Sequence, residues 1–72
     1  MSVDGSLSIR VNGEHRRLPD GTTLAEMINS LGLDPARVAV ERNLEIVPRS
    51  TFGSLCVADG DDYEIVHFVG GG

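Results

Sequence analysis

The amino-acid sequence predicts an α+β fold: a mixed sheet of four to five strands, with one main helix packed on one face and the C-terminal strand central. Three observations support this prediction. Residues 7–11 alternate between apolar and polar and lead into Asn12-Gly13, the preferred pair for a tight hairpin turn. A helical repeat with its own start signal follows at residues 23–31. The last apolar segment, residues 63–69, has apolar side chains at both alternating sets of positions, which is typical of a central strand.

The first two strands form a hairpin. Leu7, Ile9 and Val11 are predicted to be the buried side of the first strand. The second strand, residues 14–18, is more polar, so we expect it at an edge of the sheet. Residues 19–21, Pro-Asp-Gly, end that strand in a turn. A two-residue connection makes the two strands antiparallel neighbours.

The helix has the clearest local signal. Thr23 and Glu26 are spaced as a capping box, in which each side chain accepts a hydrogen bond from the other residue's backbone N–H. Four apolar residues recur at helical spacing and share one face: Leu24, Met27, Ile28 and Leu31. Gly32 suits the left-handed position after a helix, from which Leu33 can pack back on Ile28. We predict one helix over residues 23–31.

Two short strands are predicted after the helix, at residues 38–41 and 45–47, and Pro48 confines the second to a sheet edge. Residues 50–55 are expected to form a turn or a short 3₁₀ helix. If the final strand is central, it lies most easily beside the first strand, with the helix covering one face. This arrangement is the β-grasp, in which the C-terminus leaves from the middle of the sheet.

Composition and charge exclude several classes of function. The chain of 72 residues is long enough for one small domain, and its net charge is −5. All basic residues except histidine are arginines, and they are scattered, so the basic stripe of a nucleic-acid-binding protein is absent. One cysteine and two distant histidines predict neither a disulfide nor a metal site. We also expect no signal peptide and no membrane span. The single cysteine suits a reducing cytoplasm, and a monomer is the default expectation for the free chain.

The chain closes on Gly70-Gly71-Gly72, and we expect a domain over residues 1–69 with a flexible tail over residues 70–72. A frayed chain end is the plain alternative. Extended glycines would project a carboxylate about 10 Å beyond the sheet and could thread a channel too narrow for other residues. That carboxylate is ionised at neutral pH and is a poor electrophile. Adenylation by ATP would make it a mixed anhydride, from which sulfur transfer gives a thiocarboxylate.

The sequence resembles the ThiS family of sulfur carriers, which belongs to the ubiquitin-like β-grasp proteins. The resemblance covers nearly the whole chain. It rests on Val38-Ala39-Val40-Glu41-Arg42-Asn43, Glu45-Ile46-Val47-Pro48-Arg49, Asp59-Gly60-Asp61 and the closing Glu64-Ile65-Val66-His67-Phe68-Val69-Gly70-Gly71-Gly72. Leu44 departs from the pattern, because the family often has glycine at this turn position.

The resemblance implies a sulfur carrier of thiamine thiazole biosynthesis. An E1-like adenylating enzyme would use ATP and magnesium to activate Gly72, a cysteine desulfurase or another donor would supply sulfur, and thiazole synthase would accept it. The carrier would be a co-substrate with no catalytic residues and no permanently bound cofactor. Gly71 and Gly72 would carry the chemistry, and Gly70 would pass with them through the narrow channel. Val66, Phe68 and Val69 are candidate partner contacts.

Three other functions stay open from the sequence alone. The small sulfur-carrier subunit of molybdopterin synthase shares the fold, the tail and the thiocarboxylate. A ubiquitin-like modifier would instead form amide bonds to lysines of target proteins. A binding module with an idle tail would keep its function after loss of Gly72.

Several other side chains are candidates for a role. Cys56 could relay sulfur, but a small buried strand residue is the favoured interpretation. Arg49 could lie beside the tail-bearing strand, but a solvated edge charge is the default expectation. The acids Asp59, Asp61 and Asp62 could bind a cation, but we expect a solvated loop. For the open sheet face we expect an apolar patch ringed by acidic residues, which would dock to a basic rim.

Overall fold

The computed structural model describes residues 5–68. The expected tail of residues 70–72 and the predicted contact Val69 therefore lie outside the described residues, as does the boundary between domain and tail. The described part forms one five-stranded mixed sheet in the order β2-β1-β5-β3-β4. Its elements are β1 (Ser6–Val11), β2 (Glu14–Pro19), α1 (Leu24–Ser30), β3 (Val38–Arg42), β4 (Glu45–Ile46) and β5 (Asp62–His67), with 3₁₀ turns at Pro35–Arg37 and Arg49–Thr51.

The first hairpin forms as predicted. β1 and β2 pair antiparallel, with Val11 opposite Glu14 across the turn. Asn12 and Gly13 have φ values of 51° and 82°, so both turn residues are left-handed, as a type I′ turn requires. β2 lies at an edge of the sheet, and its residues are mostly exposed. Alternation along β1 therefore separates a buried face from an open face.

The helix begins and ends on the predicted signals. The Thr23 side chain accepts from the Glu26 N–H, and Glu26 accepts from the Thr23 N–H at 2.9 Å, which completes the capping box. Gly32 has a φ of 79°, and the following Leu33 donates its N–H to Ile28 O at 3.2 Å. Leu33 is partly buried against the core. Across residues 5–68, no helix combines the length and the apolar character that crossing a membrane requires.

β5 is central, as predicted. It pairs parallel with β1 and antiparallel with β3. Tyr63 and Ile65 are buried beneath α1 in a core that also contains Leu7, Ile9, Val11, Leu24, Met27, Ile28, Val38, Val40, Val47, Phe52 and Val57. Val66 and Phe68 on the opposite side are 59% and 47% exposed. The second apolar side of this strand therefore faces outwards and is not buried by a second layer.

The turn between β3 and β4 consists of two residues, Asn43 and Leu44, with φ values of 51° and 71°. Arg42 and Glu45 pair antiparallel on either side of it. Both turn residues are thus left-handed, which is the type I′ geometry that favours glycine at the second position. Leu44 is 89% exposed, so no packing compensates for its unfavourable backbone conformation.

Replacing Leu44 with glycine is expected to raise the free energy of unfolding. A left-handed leucine costs about 1–2 kcal/mol, and the greater freedom of glycine in the unfolded chain offsets about 0.5–1 kcal/mol of the gain. The net stabilisation should be about 0.5–1 kcal/mol, measured by urea unfolding followed by circular dichroism. Leu44→Ala, which keeps the Cβ, serves as the matched control and should change little. A Leu44→Gly variant no more stable than the control would contradict the strain argument.

Candidate functional site

The candidate site begins where β5 leaves the sheet towards the C-terminal glycines. His67 lies opposite Val38 on β3, and the Phe68 N–H donates to Arg37 O at 2.8 Å. The strand is thus held to β3 up to Phe68. Gly70, Gly71 and Gly72 lie outside the described residues. The described residues therefore show the end of β5, which the glycines follow in sequence, and the surfaces next to it.

The side chain of Asn12 holds β5 from its other side. Its Nδ2 donates to Ile65 O at 3.1 Å, and its Oδ1 accepts from the Ile65 N–H at 2.8 Å. The amide thus makes the two bonds that another residue of β1 would make with its backbone. The Asn-Gly pair predicted the turn, but no local signal in the sequence indicated a bond to a residue 53 positions away.

A second turn asparagine holds the beginning of β5. The Asn43 side chain accepts from the Asp62 N–H at 3.0 Å and donates to Asp61 at 3.1 Å. Asp61 is only 5% exposed. Its carboxylate also accepts from Arg42 Nε at 2.9 Å, the Tyr63 hydroxyl at 2.8 Å and the Ala58 N–H at 2.9 Å. The expectation of a solvated acidic loop is therefore wrong for Asp61, because this side chain fills a polar pocket under the strand.

These hydrogen bonds determine the ionisation of the cluster. Burial by itself raises the pKa of Asp61, but the bonds from the Ala58 N–H, Arg42, Tyr63 and Asn43 outweigh it, and the pKa lies below its usual value. Burial, and then the hydrogen bond to Asp61, raises the pKa of the Tyr63 hydroxyl. The hydrogen bond to Asp61 also raises the pKa of Arg42. A carboxylate paired with a guanidinium therefore anchors the start of β5.

Arg49 begins the 3₁₀ turn Arg49–Thr51 and is exposed, in line with the default expectation of a solvated edge charge, but its guanidinium also contacts β3. Its Nη2 donates to Val38 O at 3.0 Å. β4 is only two residues long, and the Val47 N–H donates to Val40 O just beyond it. The next outward carbonyl of β3 belongs to Val38, and no strand within residues 5–68 reaches it. The Arg49 guanidinium satisfies that carbonyl and so supports the strand residue paired with His67.

The open face of the sheet combines apolar and charged residues. Its apolar residues are Ala39, Ile46, Val66 and Phe68, all exposed. Its acidic residues are Glu41, Asp62 and Glu64, and Glu41 lies directly opposite Glu64. Strand register places Arg10, His15 and Arg17 on the same face, over β1 and β2. The expected ring of acidic residues is therefore wrong for that half of the face, which is basic.

Cys56 is exposed and forms an isolated β-bridge with Thr23. The expectation of a buried cysteine is wrong, because the short segment between the 3₁₀ turn and β5 runs along the surface. Among residues 5–68, no three His, Cys, Asp or Glu side chains are grouped so that they could hold a metal ion. The features that set this site apart are thus the anchored central strand and the glycines that follow it.

Comparison with known proteins agrees with this geometry. A family model described as the ThiS family matches residues 9–72, a range that includes the three terminal glycines. The chain belongs to the ThiS family. This confirms the resemblance drawn from the closing run of the sequence.

Similar proteins include one from Bacillus subtilis named sulfur carrier protein ThiS, which is 37% identical over 65 residues, 89% of this chain and 98% of that protein. A crystal structure of ThiS from Geobacter metallireducens, described as a thiamine biosynthesis protein, matches with a TM-score of 0.76 and 30% identity over 92% of this chain and 100% of that one. A protein named thiazole synthase from Paramagnetospirillum magneticum is 47% identical over 66 residues, 92% of this chain. The chain spans 20% of that protein's length.

Proposed function

We propose that this ThiS-family chain carries sulfur for thiazole formation in thiamine biosynthesis. The observation that carries the proposal is the family match, which runs through Gly72 in a β-grasp chain whose central strand leads to the glycines. The same match favours this pathway over molybdopterin synthase and over a protein modifier. The name of the Geobacter metallireducens relative, a thiamine biosynthesis protein, also supports it.

The chemistry acts on the Gly72 carboxylate. One carboxylate oxygen attacks the α-phosphorus of ATP, pyrophosphate leaves, and the product is an acyl-adenylate. A persulfide sulfur then attacks the acyl carbon and AMP leaves. A thiol cleaves the resulting acyl disulfide, which yields the thiocarboxylate and a new disulfide. The chain supplies only the carboxylate, and the activating enzyme supplies ATP and magnesium, so the carrier acts as a co-substrate and not as the catalyst.

The proposed partners are an E1-like adenylating enzyme, a cysteine desulfurase or another sulfur donor, and a thiazole synthase. The last is supported by the Paramagnetospirillum magneticum relative, because a protein named thiazole synthase includes a region similar to 92% of this chain. The lone exposed Cys56 suits a reducing compartment, so we place these reactions in the cytoplasm.

We propose the β5–β3 half of the open face as the docking surface for these partners. Val66 and Phe68 supply exposed apolar area beside the tail, together with Ala39 and Ile46. Glu41 and Glu64 face each other across the two strands, and like charges in that position repel. A basic group of a partner placed over this pair would relieve the repulsion. The surface therefore suits a partner with an apolar contact and a basic residue.

Replacing Glu64 with glutamine is expected to change two measurements in opposite directions. The free chain should become more stable by about 0.2–1 kcal/mol, because a like-charge pair is removed. Affinity for the activating enzyme should fall, and its dependence on salt should weaken. Urea unfolding and isothermal titration at two salt concentrations measure these effects. Asp20→Asn, which makes the same change in net charge away from this face, is the control and should leave affinity unchanged. Equal affinity of both variants would exclude an electrostatic contact at Glu64.

Tandem mass spectrometry of the C-terminal peptide tests the proposed function, with protein taken from its native cells and alkylated at its thiols. We expect an alkylated acyl sulfur localised to Gly72. Intact mass is not sufficient, because replacing oxygen by sulfur nearly coincides in mass with oxidation of Met1, Met27 or Cys56. A plain carboxylate in every molecule, with the activating enzyme and sulfur donor present, would contradict the proposal.

A further inference from the structure

The backbone of β5 has unpaired hydrogen-bonding groups at His67, shortly before the C-terminal glycines. In an antiparallel pair, opposite residues either exchange both hydrogen bonds or exchange none. The Phe68 N–H donates to Arg37 O, so Val38 and His67 form a pair that exchanges none. The N–H and C=O of His67 therefore point away from β3, towards the side on which β1 lies.

β1 does not extend as far as His67. Its last pair with β5 is Val11 opposite Tyr63, and the Asn12 N–H donates to Tyr63 O at 2.8 Å. The Asn12 side chain then makes both bonds to the backbone of Ile65. Within residues 5–68, nothing bonds the N–H or C=O of His67 on this edge. One further extended residue of another chain would continue the ladder there.

A depression adjoins this edge on the helix side of the sheet. Its volume is about 280 Å³, and it is lined by apolar residues (Val11, Leu31, Leu33 and Ile65) and by polar ones (Asn12, Glu14, Arg16 and Ser30). Leu31 and Leu33 are only partly buried and lie at the end of α1. Peptides that add to a sheet edge bind through backbone hydrogen bonds and place alternate side chains in pockets. An open backbone edge beside this depression provides both parts of such a site.

We propose that an extended segment of the thiazole synthase adds to β5 at His67 and places one of its side chains in this depression. The inference rests on the proposed function and deepens it. The thiazole synthase is chosen because a protein of that name contains a region similar to nearly all of this chain. His67 lies three residues before Gly70, so pairing at this edge would fix the direction from which the glycines approach the enzyme.

The first test is hydrogen–deuterium exchange with single-residue readout on the full 72-residue chain, free and with the thiazole synthase from the same genome. In the free chain the His67 amide should exchange rapidly, whereas the Val66 amide, bonded to β3, should be protected. With the enzyme bound, exchange at His67 should slow at least about tenfold, because a new hydrogen bond protects it. The amide of Gly53, in an exposed turn outside the proposed docking surface, should not change.

The second test removes only the backbone N–H donor of His67. Chemical synthesis can place an N-methyl group on the His67 amide, which does not bond β3, so the fold should be kept. Loss of this bond should weaken binding to thiazole synthase about threefold to tenfold. The control carries the N-methyl group on Gly53, in an exposed turn, and should bind normally. If the chain binds the enzyme, but the His67 amide is not protected and N-methylation has no effect, strand addition is wrong. The carrier function would then still stand. Failure of the unmodified chain to bind the enzyme would overturn both.

Discussion

Deleting Gly72 is expected to lower the rate of thiocarboxylate formation by about a hundredfold or more. The deletion leaves a terminal carboxylate but withdraws it by about 3.3 Å, the rise of one extended residue. Misplacement of a reacting group by about 1 Å can already cost a hundredfold in rate. The measurement is the initial rate of loading with purified activating enzyme, ATP, magnesium and sulfur donor, followed by mass spectrometry of the C-terminal peptide.

A matched pair of alanine variants distinguishes the effect of a side chain in the tail from the effect of replacing a glycine elsewhere in the chain. Gly71→Ala places a Cβ where the tail is proposed to pass through a narrow channel, and loading should slow. Gly53→Ala is the control, because a Cβ there meets no atom within 4 Å and its backbone is not left-handed. This control should load at the wild-type rate. If the chain without Gly72 also loads at that rate, the position of the terminal carboxylate does not limit its activation.

Replacing Asp61 with asparagine is expected to cause a large loss of stability. The substitution removes the charge that pairs with Arg42 Nε at 2.9 Å, and places an amide where three N–H donors and a hydroxyl point. Breaking a buried ion pair costs about 3–5 kcal/mol. Because the Arg42 side chain is 33% exposed, we expect the lower end, about 3 kcal/mol at pH 7. Urea unfolding measures the difference.

The pH dependence gives an independent check. The pKa of Asp61 is lowered in the folded chain, so its contribution is present above the unfolded value, near pH 3.9, and is lost as the pH falls through the folded value. The stability gap between wild type and Asp61→Asn should therefore narrow between pH 7 and pH 3. Asp62→Asn, an exposed neighbour, should change stability by less than about 0.5 kcal/mol. A gap that is constant with pH would show that the ionised carboxylate is not the stabilising species.

If Asp61→Asn does not fold, a milder variant still tests the cluster of Asp61, Arg42 and Tyr63. Tyr63→Phe removes the hydroxyl that donates to Asp61 at 2.8 Å and keeps the buried ring. The expected cost is about 1 kcal/mol, the typical net value of a hydrogen bond. A wild-type free energy of unfolding for Tyr63→Phe would show that this hydroxyl contributes nothing to the anchor.

The elements of this fold could be predicted because their signals lie within a few residues of one another. Asn12-Gly13 specifies a type I′ turn by its own backbone preferences. Thr23 and Glu26 specify the start of the helix in the same local way. The alternation of β1 and the apolar character of β5 then left few arrangements of the sheet, and the observed order is the predicted one.

Local signals in the sequence thus specify the β-grasp order of elements, and the sequence also contains the glycines on which the proposed carrier chemistry depends. The anchors of β5, Asn12 to Ile65 and Asp61 to Arg42, and the contact of Arg49 with Val38 on β3 are visible only in three dimensions. The same holds for the division of the open face into a basic and an acidic half. All of these depend on strand register. Each of these pairings joins segments far apart in sequence, and a shift of one residue between strands would turn every side chain to the opposite face.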